Sequence, residues 1–160
     1  MFSDIPKLEF TTQIIEEALR LYPPFWMLVR VAVADDRIMD LPVPKGTMVV
    51  VFIYGAQHSP HYWEAPESFV PERFSNENRK NHTPFTYMPF GLGPRGCSGG
   101  NYGMLQMLMI LGVVLRKYDC ALAPDQTVTP RPVIILRPAN GIKMDFRKRM
   151  DDHKARTTSS

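Results

Sequence analysis

The feature that most constrains this chain is a long stretch, from His58 to Pro94, that lacks the periodicity of a helix or a strand. It holds six of the fifteen prolines in the sequence, and each proline removes a backbone donor and restricts the residue before it. A connection of this length is uncommon in a compact domain unless it is disordered or has a function. Because five aromatic residues lie between Tyr62 and Phe85, we expect an ordered coil that packs against the rest of the chain.

Regular elements are predicted before this coil. Apolar residues at helical spacing predict a helix over Phe10 to Leu21, which the Pro23-Pro24 pair would end. A β-branched and aromatic run predicts a buried strand over Met48 to Tyr54. Candidate partner strands, joined by a turn at Asp35-Asp36, are Leu28 to Ala34 and Arg37 to Leu41.

The clearest helix follows the coil. It runs from Ser98 to Lys117, and its few polar residues predict deep burial. Beyond it, the runs Val133 to Leu136 and Ile142 to Phe146 flank Asn140-Gly141, a strong hairpin signal. These elements predict an α+β fold that is mainly helical, with small β-sheets and a long irregular coil.

Charge and composition argue against several classes of protein. A net charge of +3 does not suit a dedicated nucleic-acid binder. Two cysteines make no disulfide framework, and the CxxC pair of a zinc site is absent from the sequence. No apolar run reaches the ~18 residues that cross a membrane, and Met1 does not lead into a secretory signal. The basic and polar end, residues 148–160, is expected to be a disordered tail.

One segment has the composition of a ligand-binding loop. From Phe90 to Gly99 it reads Phe-Gly-Leu-Gly-Pro-Arg-Gly-Cys-Ser-Gly, where the coil meets the last helix. If Cys97 binds a metal as a thiolate, the helix N-terminus supplies partial positive charge and Arg95 adds a cation. Glycines let the backbone approach a flat ligand, and Phe90 can shield the sulfur from water. The competing interpretation is a structural cysteine in a glycine-rich turn.

Three motifs carry a resemblance to a known family. The pattern F-x-x-G-x-R-x-C-x-G around Cys97 resembles the haem signature of the cytochrome P-450 family, the haem-thiolate monooxygenases. Glu17-Ala18-Leu19-Arg20 resembles the family's E-x-x-R motif, and Pro71-Glu72-Arg73-Phe74 resembles its P-E-R-F motif. The resemblance covers nearly the whole chain, residues 1–147, which is similar to the C-terminal, haem-binding portion of the family's fold.

The last two motifs also suggest an ionic network. Glu17 and Arg20 are three residues apart, so they share a face of the first helix, near Ile14 and Leu21. A buried carboxylate between two guanidinium groups is well satisfied, and Arg73 can supply the second of them. Such a triad would lock the coil onto the helix and thereby position the Cys97 segment. The competing interpretation is a surface pair that contributes little.

The resemblance implies haem b as the cofactor, with Cys97 as the axial ligand of the iron. Arg30 lies where family members often place a cation for a haem propionate, although an ordinary charge at a strand end would also explain it. The other residues implied at the haem are Phe90, Gly91 and Gly99, with Arg95 at a propionate.

The activity that the resemblance implies is activation of dioxygen and insertion of one oxygen atom into a bound hydrophobic molecule. Electrons would come from a donor protein or a reductase domain on the Cys97 side. Apolar residues after the first helix and in the last sheet would face the substrate, although the same residues are also explained as ordinary core. They are Phe25, Trp26, Met27, Leu28, Val133 and Ile134.

The family's oxygen-activating helix, with its acidic-Thr motif, is absent from these 160 residues. The chain by itself is therefore expected to be inactive. Two alternatives stay open: a non-catalytic haem-binding or remnant fragment, and a peroxygenase or isomerase on the same scaffold. The haem loop and the end of the sequence resemble soluble bacterial members, which slightly favours a cytoplasmic location over a membrane-anchored one.

Two further residues are expected to be structural. His58 lies in Gln-His-Ser-Pro, where many family members read His-Arg-Asp-Pro. Aligned on Pro60, His58 takes the place of the arginine and Ser59 that of the aspartate. Cys120 lies beyond the last helix, and no residue near it in the sequence supports a catalytic role.

Overall fold

The structure, a computed structural model, describes residues 7–149. Its α-helices are α1 (Glu9–Leu21), α2 (Ile53–Gln57) and α3 (Gly100–Lys117), and short 3-10 helices lie at Pro71–Phe74, Asn78–Asn81 and Gly93–Arg95. The strands form separate two-stranded antiparallel sheets: β1 (Leu28–Val31) with β4 (Met48–Val51), β2 (Asp36–Ile38) with β3 (Leu41–Val43), β5 (Tyr118–Leu122) with β8 (Met144–Lys148), and β6 (Pro130–Pro132) with β7 (Leu136–Pro138). The predicted α+β class, with small sheets and a long coil, is confirmed.

The hydrophobic core lies between α1 and α3. Ile15 and Leu19 of α1 pack against Leu108 of α3, and all three side chains are buried. The predicted first helix is confirmed and begins one residue earlier than expected. Phe90 packs against the same cluster, so the segment that leads to Cys97 is anchored in the core.

The deep burial predicted for the last helix is wrong for this chain. Only Gly100 and Leu108 of α3 are buried, while Tyr102, Ile110 and Val113 are exposed. Because α1 and Phe90 cover a single stripe of α3, the other apolar faces of the helix find no partner among residues 7–149.

The strand prediction before the coil is confirmed in part. Leu28–Val31 pairs with Met48–Val51, as expected of a partner strand, while the run that begins near Arg37 pairs with Leu41–Val43 instead. The buried strand predicted over Met48 to Tyr54 is wrong in its burial and in its end, because β4 is mostly exposed and helix α2 begins at Ile53. The chain reverses at Met39-Asp40, where Met39 has a φ of 53°, and not at Asp35-Asp36. The Asp35 carboxylate instead accepts a hydrogen bond from the Lys45 backbone at 2.8 Å.

The second predicted hairpin does not form either. Gly141 does adopt a positive φ of 72°, so the chain turns where the sequence indicates. The strands on the two sides of this turn, however, belong to different sheets. Leu136–Pro138 pairs with Pro130–Pro132, and Met144–Lys148 pairs with Tyr118–Leu122.

The proline-rich coil packs through two of the five aromatic residues that predicted its order, Trp63 and Phe74, while Tyr62, Phe69 and Phe85 are exposed. Trp63 and Phe74 are buried, with ring centroids 6.1 Å apart, and Phe74 lies 4.7 Å from Tyr87. His82 contacts both Trp63 and Phe74 edge-on, at 4.9 Å and 5.2 Å. These rings join the two ends of the coil into one packed layer beside α1.

The end of the chain falls partly outside the described residues. Of the tail predicted over 148–160, Lys148 ends strand β8 and Arg149 pairs with Asp119 at 2.7 Å. Residues 150–160 lie outside the described part. Among the helices between residues 7 and 149, none has the length and apolarity that crossing a membrane requires.

Burial gives the coil a pH-dependent stability through His82. Burial lowers the pKa of His82, assisted by Arg79 and Arg73, and this outweighs the opposing hydrogen bond between Nε2 and the Arg73 carbonyl. As the pH falls, His82 is therefore protonated in the unfolded chain before it is protonated in the folded chain. Its contribution to the free energy of unfolding is complete above a pH of about 6.5 and is lost as the pH falls below that value.

We expect His82→Gln, which keeps a donor for the Arg73 carbonyl, to weaken the pH dependence of unfolding. The measurement is urea denaturation of both proteins between pH 7.5 and 5.5. The free energy of unfolding should fall more steeply with acidification in the unsubstituted chain. Parallel curves would contradict a role for His82.

Candidate functional site

The Cys97 segment folds back on itself through its own backbone. The Cys97 amide donates to the Phe90 carbonyl at 2.8 Å, and the Gly91 amide donates to the Met88 carbonyl at 3.0 Å. Within the same segment, the Gly96 amide donates to the Gly93 carbonyl at 2.9 Å. We call residues 90–97 the Cys97 loop. Its closure delivers the cysteine to a fixed place just before the first turn of α3.

Glycine is required at defined points of this loop. Gly91 and Gly93 have φ values of 70° and 69°, in the left-handed region that other residues rarely adopt. A Cβ on Gly100 would lie 3.2 Å from Phe90 Cγ, so glycine lets the Phe90 ring lie against α3. A Cβ on Gly99 would make only ordinary contact, with Cys97 Sγ at 3.9 Å. No neighbour among residues 7–149 therefore requires glycine at position 99.

The thiol of Cys97 is exposed, and the helix that follows it is long enough to supply a macrodipole. α3 has 18 residues and begins three positions after Cys97, so its positive end lies near the sulfur. No cluster of three histidine, cysteine or acidic side chains suited to a metal ion occurs between residues 7 and 149. A single exposed thiol beside a helix N-terminus suits a group that needs one axial ligand, such as haem.

Two arginines are available for an anionic ligand. Arg95 is exposed, and its side chain forms no ion pair or hydrogen bond with another residue between 7 and 149. Arg30 is exposed on β1 and donates to the adjacent Val29 carbonyl at 2.9 Å. Leu28, on the same face of β1 as Arg30, approaches the Cys97 loop, because a Cβ on Gly91 would lie 3.3 Å from Leu28 Cδ1. Strand β1 thus runs past the loop with Arg30 two residues further on.

The predicted triad is assembled. Glu17 and Arg20 are fully buried and form a two-pronged pair, with Nε–Oε2 and Nη2–Oε1 distances of 2.7 Å and 2.9 Å. Arg73 Nε lies 3.4 Å from Glu17 Oε1, which also accepts a hydrogen bond from the Val70 amide at 2.9 Å. Arg73 in turn donates to the Ala65 carbonyl at 3.0 Å. The triad therefore fixes the coil between Ala65 and Arg73 onto α1.

The contact from this network to the Cys97 loop is made by a residue that the sequence did not single out. The Gln57 carbonyl accepts a hydrogen bond from Arg20 Nη1 at 2.7 Å, and Gln57 Oε1 accepts one from the Met88 amide at 3.0 Å. The available signal was a departure from the family motif, since Gln57 precedes His58 and so takes the place of the histidine in His-Arg-Asp-Pro. His58 itself stacks on Tyr54, with ring centroids 3.8 Å apart.

The two segments predicted to face a substrate lie together. The indole N–H of Trp26 donates to the Val133 carbonyl at 2.8 Å, and the Leu136 amide donates to the Pro24 carbonyl at 2.8 Å. Phe25 is half exposed and Ile134 is 89% exposed, while Met27 and Leu28 are partly buried. A cavity of about 390 Å³ opens beside this junction, lined by Trp26, Phe52, Tyr54, Pro130, Pro132 and Leu136.

Comparison with known proteins matches this geometry. The family model described as Cytochrome P450 matches residues 1–146. The chain is 37% identical to cytochrome P450 4F5 of Rattus norvegicus over 88% of its own length and 27% of the relative's. It is 33% identical to the ultra-long-chain fatty acid omega-hydroxylase of Homo sapiens, again over 88% of this chain and 27% of that one. The chain thus spans about a quarter of the length of these relatives.

A solved structure shows the same arrangement of the backbone. The cytochrome P450DA heme domain superposes with a TM-score of 0.87 at 25% identity, over 94% of this chain and 33% of that one.

Removal of Arg20 should be far more damaging than removal of an exposed arginine. Arg20→Ala leaves the Glu17 carboxylate buried beside Arg73 alone, at an expected cost of about 3–5 kcal/mol in the free energy of unfolding. The matched control is Arg149→Ala, which breaks a pair that is more than half exposed on both sides and should cost about 0–1 kcal/mol.

Urea denaturation of the two variants measures the difference. If Arg20→Ala does not fold, Arg20→Lys serves instead, since it keeps the charge and loses the planar fork. Equal stability of the Arg20 and Arg149 variants would contradict a structural role for the triad.

Proposed function

Because the chain belongs to the cytochrome P450 family, we propose that it is the haem-binding, C-terminal portion of a haem-thiolate monooxygenase, with Cys97 as the ligand of the iron. The observation that carries the proposal is the Cys97 loop. Its thiol is exposed, its backbone is closed by the Phe90 carbonyl, and α3 begins directly behind it.

Haem is the cofactor of this family, and when a thiolate binds its iron it supplies the activation of dioxygen. The chain's own residues bind and tune it. Cys97 provides the sulfur, and the N-terminus of α3 favours its negative charge. Phe90 lies against Gly100 and shields the loop from one side. Arg95 and Arg30 are the cations that would hold the propionates.

A hydrophobic organic molecule is the proposed substrate class. The segments around Trp26 and Val133 are joined by a hydrogen bond and present exposed apolar side chains, such as Phe25 and Ile134. A relative that acts on an ultra-long-chain fatty acid supports an apolar substrate. The apolar residues at this junction would orient the substrate and exclude water.

Electrons would reach the haem from a donor protein or a fused reductase domain on the Cys97 side. The exposed thiol and the unpaired Arg95 lie on one short loop, so a partner that docks there approaches the iron ligand closely. Since the chain spans about a quarter of its curated relatives, its own share in the activity is to hold and tune the haem.

Replacement of Cys97 should abolish thiolate ligation of haem. We expect Cys97→Ser to lose the thiolate-type Soret band of the haem-loaded, reduced protein in carbon monoxide, because a serine hydroxyl is not a thiolate donor. Absorbance spectroscopy measures the band.

Cys120→Ser is the control for this experiment. It removes the second cysteine, which lies partly buried in β5, and should leave the band unchanged. The proposal fails if Cys97→Ser keeps the thiolate-type band, or if only Cys120→Ser loses it.

A further inference from the structure

A single glutamine connects the ionic triad to the Cys97 loop. Gln57 ends α2 and has no exposed surface, and each polar atom of its side-chain amide is hydrogen-bonded. A buried amide is costly unless all of its partners are present. This full set of partners means that Gln57 fits one arrangement of the elements around it.

The nitrogen of the amide caps helix α1. Gln57 Nε2 donates to the Leu19 carbonyl at 3.1 Å and to the Arg20 carbonyl at 2.9 Å. These carbonyls belong to the last turn of α1, where no further helical amide is available to pair with them. Gln57 therefore satisfies the buried end of the helix that carries the triad.

The oxygen of the same amide holds Met88, two residues before the Cys97 loop. Gln57 Oε1 accepts from the Met88 amide at 3.0 Å, and the Met88 carbonyl accepts from the Gly91 amide at 3.0 Å. The neighbouring Phe90 carbonyl accepts from Cys97 at 2.8 Å. A path of hydrogen bonds, with the covalent link between Gly91 and Phe90 as one of its steps, thus runs from the end of α1 through one side chain to the backbone of the cysteine.

Arg73 does not provide this link. Its contacts are with Glu17, with the Ala65 and Val70 part of the coil, and through its carbonyl with His82. Gln57, in contrast, forms hydrogen bonds with the end of α1, with the Arg20 guanidinium and with Met88. Its backbone carbonyl accepts from Arg20 Nη1, so the guanidinium of the triad and Met88, which leads into the loop, are bonded to the same residue.

We propose that Gln57 is a positioning residue for the Cys97 thiolate, which it holds at a fixed distance from α1 through Met88. The part concerning the thiolate rests on the proposed function. Glutamine suits the task because its amide offers two donors to the helix and an acceptor to the loop. Glutamate keeps only the acceptor when ionised, and methionine has a similar length with neither function.

Amide hydrogen exchange in the haem-free chain tests the link directly. Relative to the unsubstituted chain, Gln57→Met should accelerate exchange of the Met88, Gly91 and Cys97 amides at least tenfold. Gln57→Glu should not be milder, because its ionised carboxylate would lie buried against the Leu19 and Arg20 carbonyls with no proton to donate to them. The matched control is Thr86→Val, two residues before Met88. It removes a buried hydroxyl whose hydrogen bond within the described residues is to the Thr83 carbonyl.

The haem-loaded protein gives the second readout. Gln57→Met should raise several-fold the fraction of reduced, carbon monoxide-treated protein that lacks the thiolate-type band, while Thr86→Val should not. If the unsubstituted protein shows no such band, the proposed function fails, and the exchange data still decide the role of Gln57. Equal exchange of the Cys97 amide in Gln57→Met and Thr86→Val, after correction for global stability, would overturn the proposal.

Discussion

The structure depends on a carboxylate that water does not reach. Glu17 is fully buried, and an isolated negative charge in that position would cost several kcal/mol of stability. The charge is tolerated because Arg20 grips both oxygens while Arg73 and the Val70 amide approach the same carboxylate. The irregular coil is thereby required to pass over α1 at one place, and this fixes the direction from which the chain reaches Cys97.

Local relations were predictable from the sequence, and the distant relation between Glu17 and Arg73 was predictable only because family motifs recorded it. The spacing of Glu17 and Arg20 places them on one helical face, and a motif match supplied Arg73. The Asn140-Gly141 turn does form, but a turn signal says only that the chain reverses and not which strand lies beside it. The role of Gln57 could not be predicted from local sequence patterns, because its hydrogen-bond partners are 31 to 38 residues away along the chain.

The predicted burial of α3 failed for a related reason. An apolar helix surface shows that a partner is needed, but it does not show that the partner lies in the same stretch of chain. α1 and Phe90 cover the stripe around Leu108, and this contact is enough to fix the helix behind the Cys97 loop. The remaining apolar faces are exposed, as are Phe25 and Ile134 at the proposed substrate side.

The hydrogen bond from Trp26 to the Val133 carbonyl joins two segments that are 107 residues apart in sequence. Its acceptor is backbone, so any side chain at Val133 preserves it, whereas most replacements of Trp26 remove it. Substitution of Val133 or Ile134 therefore changes the apolar surface of this segment, while the hydrogen bond to Trp26 is kept. Substitution of Trp26 removes the hydrogen bond itself, so its effect should not add simply to the effect of a substitution at Val133 or Ile134.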